Sequence, residues 1–371
     1  MPWEVNDAVK QRWEFVKEWE SEDWGFAELC REYGITRATG YKWVERYQMG
    51  GLGGLGDASR APHRHPNQTS PATEKEIVEV RAKHPRWGAR KIQAILQRQW
   101  ADRAECQIPA TSTIGAMLKQ YGLTVGRSQR QRAEPSAQPL AEGSAANALW
   151  CVDCKGWFRT GDGKRCDPLT ITDGYSRYLL RCQGVEAADT VHTQVVMEGA
   201  FLEYGLPERI RSDNGAPFGS NGRGGLTRLA VWWMRLGIQP ERIQPGRPQQ
   251  NGRHERMHLT LQQETAEPPA ASLRGQQQRF NTFLKEYNNE RPHEALKMST
   301  PSEYYQRSAR EYPKRLPEAT YPVGWEVRQV GKSGQFKLWT TEVFVSHALA
   351  GQQIGLHPLT EKRSSIGRFI S

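Results

Sequence analysis

Three apolar runs, LWCVDCKGWF, RCDPLTITD and SRYLLRCQGV, follow one another from residue 149 to residue 185, with only the turn-forming TGDGK and GYS to separate them. Runs of this length and composition, bounded by such turns, read as three consecutive strands. A helix is expected from about Asp189 to Tyr204, then a short strand in ERIRSD, a helix in LTRLAVWWMRLG and another in NGRHERMHLTLQQETA. Three strands followed by alternating helix and strand require a mixed α/β sheet.

Three carboxylates are oddly set in that pattern. Asp153 lies inside an otherwise apolar strand, Asp213 ends a later strand, and Glu255 sits one turn into a helix that follows a loop rich in Pro and Gly. A carboxylate on a central strand is costly to bury unless it is paired or bound to metal. Any one of the 41 acidic residues is by default a surface group. It is the joint setting of these three that marks them.

The N-terminal third is helical. FAELCREYGITRATGYKWVERY has a helix, a turn at Gly34 and a second helix from near Thr36, which is helix-turn-helix grammar. On the second helix Arg37, Thr39, Tyr41, Lys42 and Arg46 are the candidates for entering a major groove; the plain alternative is a helical hairpin. GGLGGLGDASRAPHRHPN suits an extended linker whose Arg60 and Arg64 would track a DNA backbone. A second helical block follows, with HPRWGARKIQAILQRQW, bearing Arg90 and Lys91, and PATSTIGAMLKQYGL, where Thr111 or Ser112 is the expected cap. RSQRQRAEPSAQPLAEGSAANA lacks apolar periodicity and reads as a second linker.

Composition limits the function classes. With 51 Lys and Arg against 41 Asp and Glu the formal charge is +10, which favours a polyanionic partner, nucleic acid ahead of an anionic membrane surface. No apolar run approaches the length of a transmembrane helix, and the opening is too charged for a secretory signal, so a cytosolic protein with six reduced cysteines is expected.

VDCKGW around Asp153, RSDNGAPF around Asp213 and PGRPQQNGRHERMH around Glu255 together resemble the integrase-like transposases of bacterial insertion sequences, relatives of retroviral integrases. YKWVERY with the glycines after it, RWGARKI, YNNERPHEAL and TPSEYY extend the resemblance over nearly the whole chain. It implies a multidomain protein: a helix-turn-helix DNA-binding domain at 1–58, a linker at 59–69, a second helix-turn-helix domain at 70–124, a linker at 125–147, an α/β ribonuclease-H-like catalytic core at 148–310 and a small C-terminal β-barrel at 318–371. In that barrel Arg328, Lys332 and Lys337 are either DNA contacts or surface charge.

The implied chemistry is metal-dependent phosphoryl transfer at DNA ends, with two Mg²⁺ or Mn²⁺ ions held by Asp153, Asp213 and Glu255, and Asp153 bridging. Asn214 and Gly215 would support the site, Gly215 by letting backbone approach closely. Asn251, Arg253 and Arg256, at the start of the Glu255 helix, would contact DNA. The partners implied are double-stranded DNA, as terminal inverted repeats and as target, and further copies of the chain, acting in the bacterial cytosol. One departure stands out: where the family commonly carries basic residues four and seven positions after this Glu, the chain has Leu259 and Gln262.

Other readings compete. Cys151 and Cys154 form CxxC, with Cys166 and Cys182 downstream, yet positions i and i+3 of a strand face opposite ways, which argues against a zinc site. Asp173, in TDGYSRY, reads as a turn residue. Against the transposase stand a catalytically silent DNA-binding regulator or domesticated remnant, and a structure-specific nuclease.

Overall fold

The computed structural model describes residues 8–59, 68–103, 107–124, 140, 142–220, 222, 225–244 and 248–357. Arg60, Arg64 and most of the 125–147 segment lie outside the described residues. The chain divides into two compact units, Met1–Ser70 and Pro71–Ser371. No helix among the described residues is long and apolar enough to cross a membrane.

The first unit is three helices, α1 (Ala8–Glu20), α2 (Phe26–Glu32) and α3 (Arg37–Gly54). Gly34 takes a positive φ of 61° in the turn between α2 and α3, and Thr36 caps α3 by accepting from the Thr39 amide. Phe15, Leu29, Ile35, Trp43 and Val44 fill the core. Gly40 lets α3 sit close, since a Cβ there would stand 2.8 Å from Cys30 Sγ. The glycine run does not begin a linker as its composition suggested. α3 continues, kinked at Gly51, to Gly54, and Leu55 is fully buried with its carbonyl accepting from Arg12 at 2.8 Å. The apolar side chain of Leu55 in the core outweighs the flexibility of its glycine neighbours.

The second unit opens with α4 (Pro71–Lys83), α5 (Ala89–Gln99) and α6 (Thr111–Gln120), packed around Ile77, Trp87, Ile92, Leu96, Ile114 and Leu118. Ala110 is the N-cap of α6, so neither Thr111 nor Ser112 serves as the expected cap; both already lie within the helix. Buried Arg81 donates to the carbonyls of Trp87 and Leu123 and holds the three helices together.

A mixed sheet follows, formed by β1 (Trp150–Cys154), β2 (Phe158–Arg159), β3 (Arg165–Asp173), β4 (Leu179–Val185), β5 (Arg209–Ser212) and β6 (Gln239–Arg242). β3 pairs antiparallel with β1, β2 and β4, while β1, β5 and β6 run parallel. α7 (Thr190–Tyr204) and α8 (Arg228–Arg235) cover one face, packing on Trp150, Val152, Leu169, Ile171 and Ile210. α9 (Gly252–Leu261) and α10 (Leu273–Asn289) cover the other, packing on Cys166, Leu179 and Cys182. The two-residue period of the strands then decides what faces α9. With Trp150 and Val152 committed to the α7 side, Cys151 and Asp153 turn toward α9; with Leu169 and Ile171 committed likewise, Thr170 and Thr172 do the same. Cys154 packs on the α7 side, opposite Cys151.

Beyond the sheet lie β7 (Glu326–Gln329), β8 (Gln335–Leu338), β9 (Thr341–Phe344) and β10 (Gln353–Leu356). The described residues contain no closed barrel here. β7 pairs with β10 and β8 with β9, as two separate ribbons around Val330, Phe336, Val345 and Ile354. A barrel requires every edge to be paired, and a short turn at His347–Leu349 separates β9 from β10. The last stretch, EKRSSIGRFIS, lies outside the described residues.

Candidate active site

Asp153 lies on β1, Asp213 immediately follows β5, the parallel neighbour of β1, and Glu255 lies in the first turn of α9, which covers that side of the sheet. Burial pushes the Asp153 carboxyl up to about 7, and the negative charges of Asp213 and then Glu255 push it the same way. A carboxyl perturbed in this way by burial and like charge is a candidate for a functional centre. Asp213 is also raised, by burial, against which the Gly215 amide donates a hydrogen bond to it. Its Oδ1 is buried and has no hydrogen-bond partner among the described residues. Glu255 is exposed.

The supporting pair holds this corner in shape. A Cβ on Gly215 would stand 2.8 Å from Asp213 Oδ2, so the close backbone approach expected of this glycine is to the carboxylate itself. Asn214 is exposed and donates through Nδ2 to the Ile243 carbonyl at 2.7 Å, fastening the loop to the end of β6. Buried Arg211 pairs with Glu241 at 2.6 Å and donates to the Gln250 carbonyl, which ties the segment ahead of α9 to β5 and β6.

Sequence reasoning missed a buried layer beneath the acids. His254 and His258, one turn apart on α9, are 2% and 5% exposed, and burial holds both imidazoles neutral. Thr170 Oγ1 lies 2.7 Å from His254 Nε2, 2.6 Å from His258 Nε2 and 3.2 Å from the Asp153 carbonyl oxygen, and Thr172 Oγ1 lies 2.8 Å from His254 Nδ1. His258 Nδ1 is 3.8 Å from Asp153 Oδ2. The available signal was the four-residue spacing of the two histidines, which puts them on the same helix face as Leu261 and turns them inward. Asp173 is fully buried and structural, accepting from the amides of Asn147 and Ser176 and from Ser176 Oγ.

The candidate DNA contacts scatter. On α3, Arg37, Tyr41 and Lys42 are exposed, with Tyr41 stacked on Phe26 at 4.1 Å. Thr39 is half-buried at the cap, and Arg46 is committed to the fold, donating to the Gly56 carbonyl at 2.6 Å and lying over the Trp43 ring. Arg90 pairs with Glu294 at 3.7 Å, and Asn251 is 5% exposed, so its side chain is a wall rather than a surface contact. Arg253 pairs with Glu142, and Gln262 turns to Glu267 at 3.0 Å where α9 gives way to a single π turn.

Lys91, Arg253 and Arg256 nonetheless share one cleft with two arginines the sequence did not single out, Arg177 and Arg291. Burial lowers the Lys91 ammonium to about 8, with the Arg291 charge acting in the same direction. Arg177 has a positive φ of 66° and a buried Nε without a hydrogen-bond partner among the described residues. Cations packed together at this cost point to an anion.

Four family models match the chain: a helix-turn-helix domain at 11–63, a homeodomain-like domain at 39–118, and two integrase core domains at 143–248 and 236–301. Among curated proteins, an uncharacterized 31.7 kDa protein of insertion element IS407 from Burkholderia multivorans is 24% identical over 241 residues, covering 64% of this chain and 82% of that one. An uncharacterized 39.2 kDa protein of IS476 from Xanthomonas euvesicatoria is 26% identical over 202 residues, covering 53% of this chain and about half (54%) of the relative. Among solved structures, the HTLV-2 integrase catalytic core domain in complex with magnesium aligns over 44% of this chain and 99% of that one, with 15% identity and a TM-score of 0.35.

Proposed function

We infer, from the premise that the chain is a DNA transposase of the integrase-like DDE type found in insertion sequences, that Asp153, Asp213 and Glu255 carry its phosphoryl transfer. The observation that carries this reading is the buried Asp213 Oδ1, to which no described residue donates, on the strand end beside the β1 strand that bears buried Asp153. A buried anionic oxygen without a partner is expensive, and a set of carboxylate oxygens fits a hard divalent cation such as Mg²⁺ or Mn²⁺.

Two such ions, when bound, activate the attacking water or 3'-hydroxyl and stabilise the departing oxygen of an in-line displacement. Asp153, Asp213 and Glu255 would be the residues that hold the ions, with Asp153, the most perturbed of the three, between the other two. The chain supplies no covalent nucleophile; its residues hold and orient. Gly215 keeps the Asp213 carboxylate in place, and Arg211 fixes the segment leading to Glu255. Cleavage frees the 3'-end of the element, and that end then attacks target DNA.

Terminal inverted repeats are the natural substrate of such a site. Arg37, Tyr41 and Lys42 offer α3 to a major groove, while Lys91, Arg253, Arg256, Arg177 and Arg291 receive backbone phosphates near the acids. The two C-terminal ribbons, with Arg328, Lys332 and Lys337, add a DNA or subunit contact in place of a barrel. Bringing two ends together calls for more than one copy of the chain, at work in the bacterial cytosol.

The test is a joining assay with an end oligonucleotide, a target duplex and Mg²⁺ or Mn²⁺. The wild type is expected to join, and Asp153→Asn, Asp213→Asn and Glu255→Gln to bind the end yet join none. Joining retained in any of the three ends this assignment. End binding without joining in the wild type would instead make the chain a silent DNA-binding regulator.

A further inference from the structure

The hydrogen bonds around Thr170 determine which atom His258 presents to the active site. Thr170 has one hydroxyl hydrogen and three polar neighbours, of which the Asp153 carbonyl can only accept. If that hydrogen goes to either imidazole, the Asp153 carbonyl contact is left without a proton. With both imidazoles neutral, the form in which an imidazole can bind a metal, one arrangement satisfies every contact: Thr170 donates to the Asp153 carbonyl, both histidines donate from Nε2 to Thr170, and Thr172 donates to His254 Nδ1. Both nitrogens of His254 are then used. His258 is left with a bare Nδ1 lone pair 3.8 Å from Asp153 Oδ2.

Two acceptors facing each other repel unless a proton or a cation lies between them, and 3.8 Å is too long for a hydrogen bond. The separation suits a shared ion, since metal bonds to nitrogen and carboxylate oxygen are each about 2.0–2.2 Å. Suitable ligand atoms of Asp153, His254 and His258 all lie within 4.8 Å of one another.

We propose that His258 Nδ1 is a nitrogen ligand to the ion held by Asp153, with His254, Thr170 and Thr172 as the shell that fixes its tautomer. This rests on the reading of Asp153 as a metal ligand. A buried imidazole beside the carboxylates biases the site away from Mg²⁺ toward ions that accept nitrogen, such as Mn²⁺.

Mn²⁺ bound to the full-length chain is the probe, followed by pulsed electron paramagnetic resonance. A nitrogen coupling that changes on ¹⁵N-histidine labelling is expected in the wild type; this measurement needs no variant to fold. His258→Gln should remove the coupling and weaken Mn²⁺ by about 10- to 100-fold, whereas His254→Gln should keep the coupling. Mn²⁺ bound with no histidine coupling, or a coupling that survives His258→Gln, overturns the proposal. Asp153→Asn separates the two readings: if it abolishes Mn²⁺ binding while the wild type shows no coupling, the carboxylate site stands and His258 is not a ligand. If Mn²⁺ binds equally well without Asp153, both readings fail.

Discussion

His84 Nδ1 lies 2.8 Å from Glu286 Oε1, joining the end of α4 to α10 under the stacked ring of Trp87. Burial alone would raise the Glu286 carboxyl, but the hydrogen bond and charge of His84, together with the charges of Arg291 and Lys83, outweigh it and hold the group below its ordinary value of 4.5. A depressed carboxylate contributes stability that is in place above the unfolded value and fades as pH falls through the folded one. Glu286→Gln should therefore cost on the order of 1 kcal/mol near pH 7, and the difference from wild type should shrink as pH falls below the ordinary carboxylate value and through the depressed folded one. Urea unfolding at a series of pH values measures this; a difference that stays constant down to pH 3 would mean the pair contributes through packing alone.

Gly215→Ala places a Cβ 2.8 Å from Asp213 Oδ2, and either the carboxylate or the loop must move. Displacing a reacting centre by about 1 Å costs roughly 10²-fold in rate. Joining should fall by about that factor while end binding in a gel-shift assay changes little. A variant that joins at the wild-type rate would show that Asp213 has slack to spare.

The parts of this architecture that were legible in the sequence are those in which side-chain chemistry and strand period agree. Asp153 stands out because Trp150 and Val152 commit the alternate positions to the core, and Asp213 because it ends a strand. β6 was invisible: its QPER carries no apolar residue, and it is a strand because its backbone pairs with β5. Leu55 was hidden among glycines whose composition suggested a linker, although its one apolar side chain decides the local fold. Arg177 and Arg291 come from separate turns that only the folded chain brings beside Lys91. The histidines, on either side of Glu255, carry no sequence signal beyond their four-residue spacing, and only the folded sheet shows what they face. Barrel closure depends on edge pairing, which residue patterns in four-residue strands do not encode.

Thr170→Val keeps shape but removes the oxygen that receives both imidazoles. Two buried N–H groups then lose their acceptor, at about 1–3 kcal/mol each. Thermal or urea unfolding should show a loss of at least about 2 kcal/mol, and joining should drop as His254 and His258 release α9. A loss under about 0.5 kcal/mol would place the substitution among neutral surface changes and remove the basis for this layer.

In the basic cleft, Arg291 already spends one contact on Glu264 at 2.7 Å, whereas Arg256 is exposed beside Glu255. If both Arg256 and Lys91 hold phosphates, each single change to Gln should weaken binding to end DNA and to unrelated duplex alike, and lower the slope of log K against log salt by about 1. Phosphate contacts carry no sequence information, so the preference for the end should survive. Fluorescence anisotropy between about 50 and 200 mM salt gives both quantities. An unchanged slope would mean that the cleft is charged for another anion, and a lost preference with an unchanged slope would mean that these residues read bases.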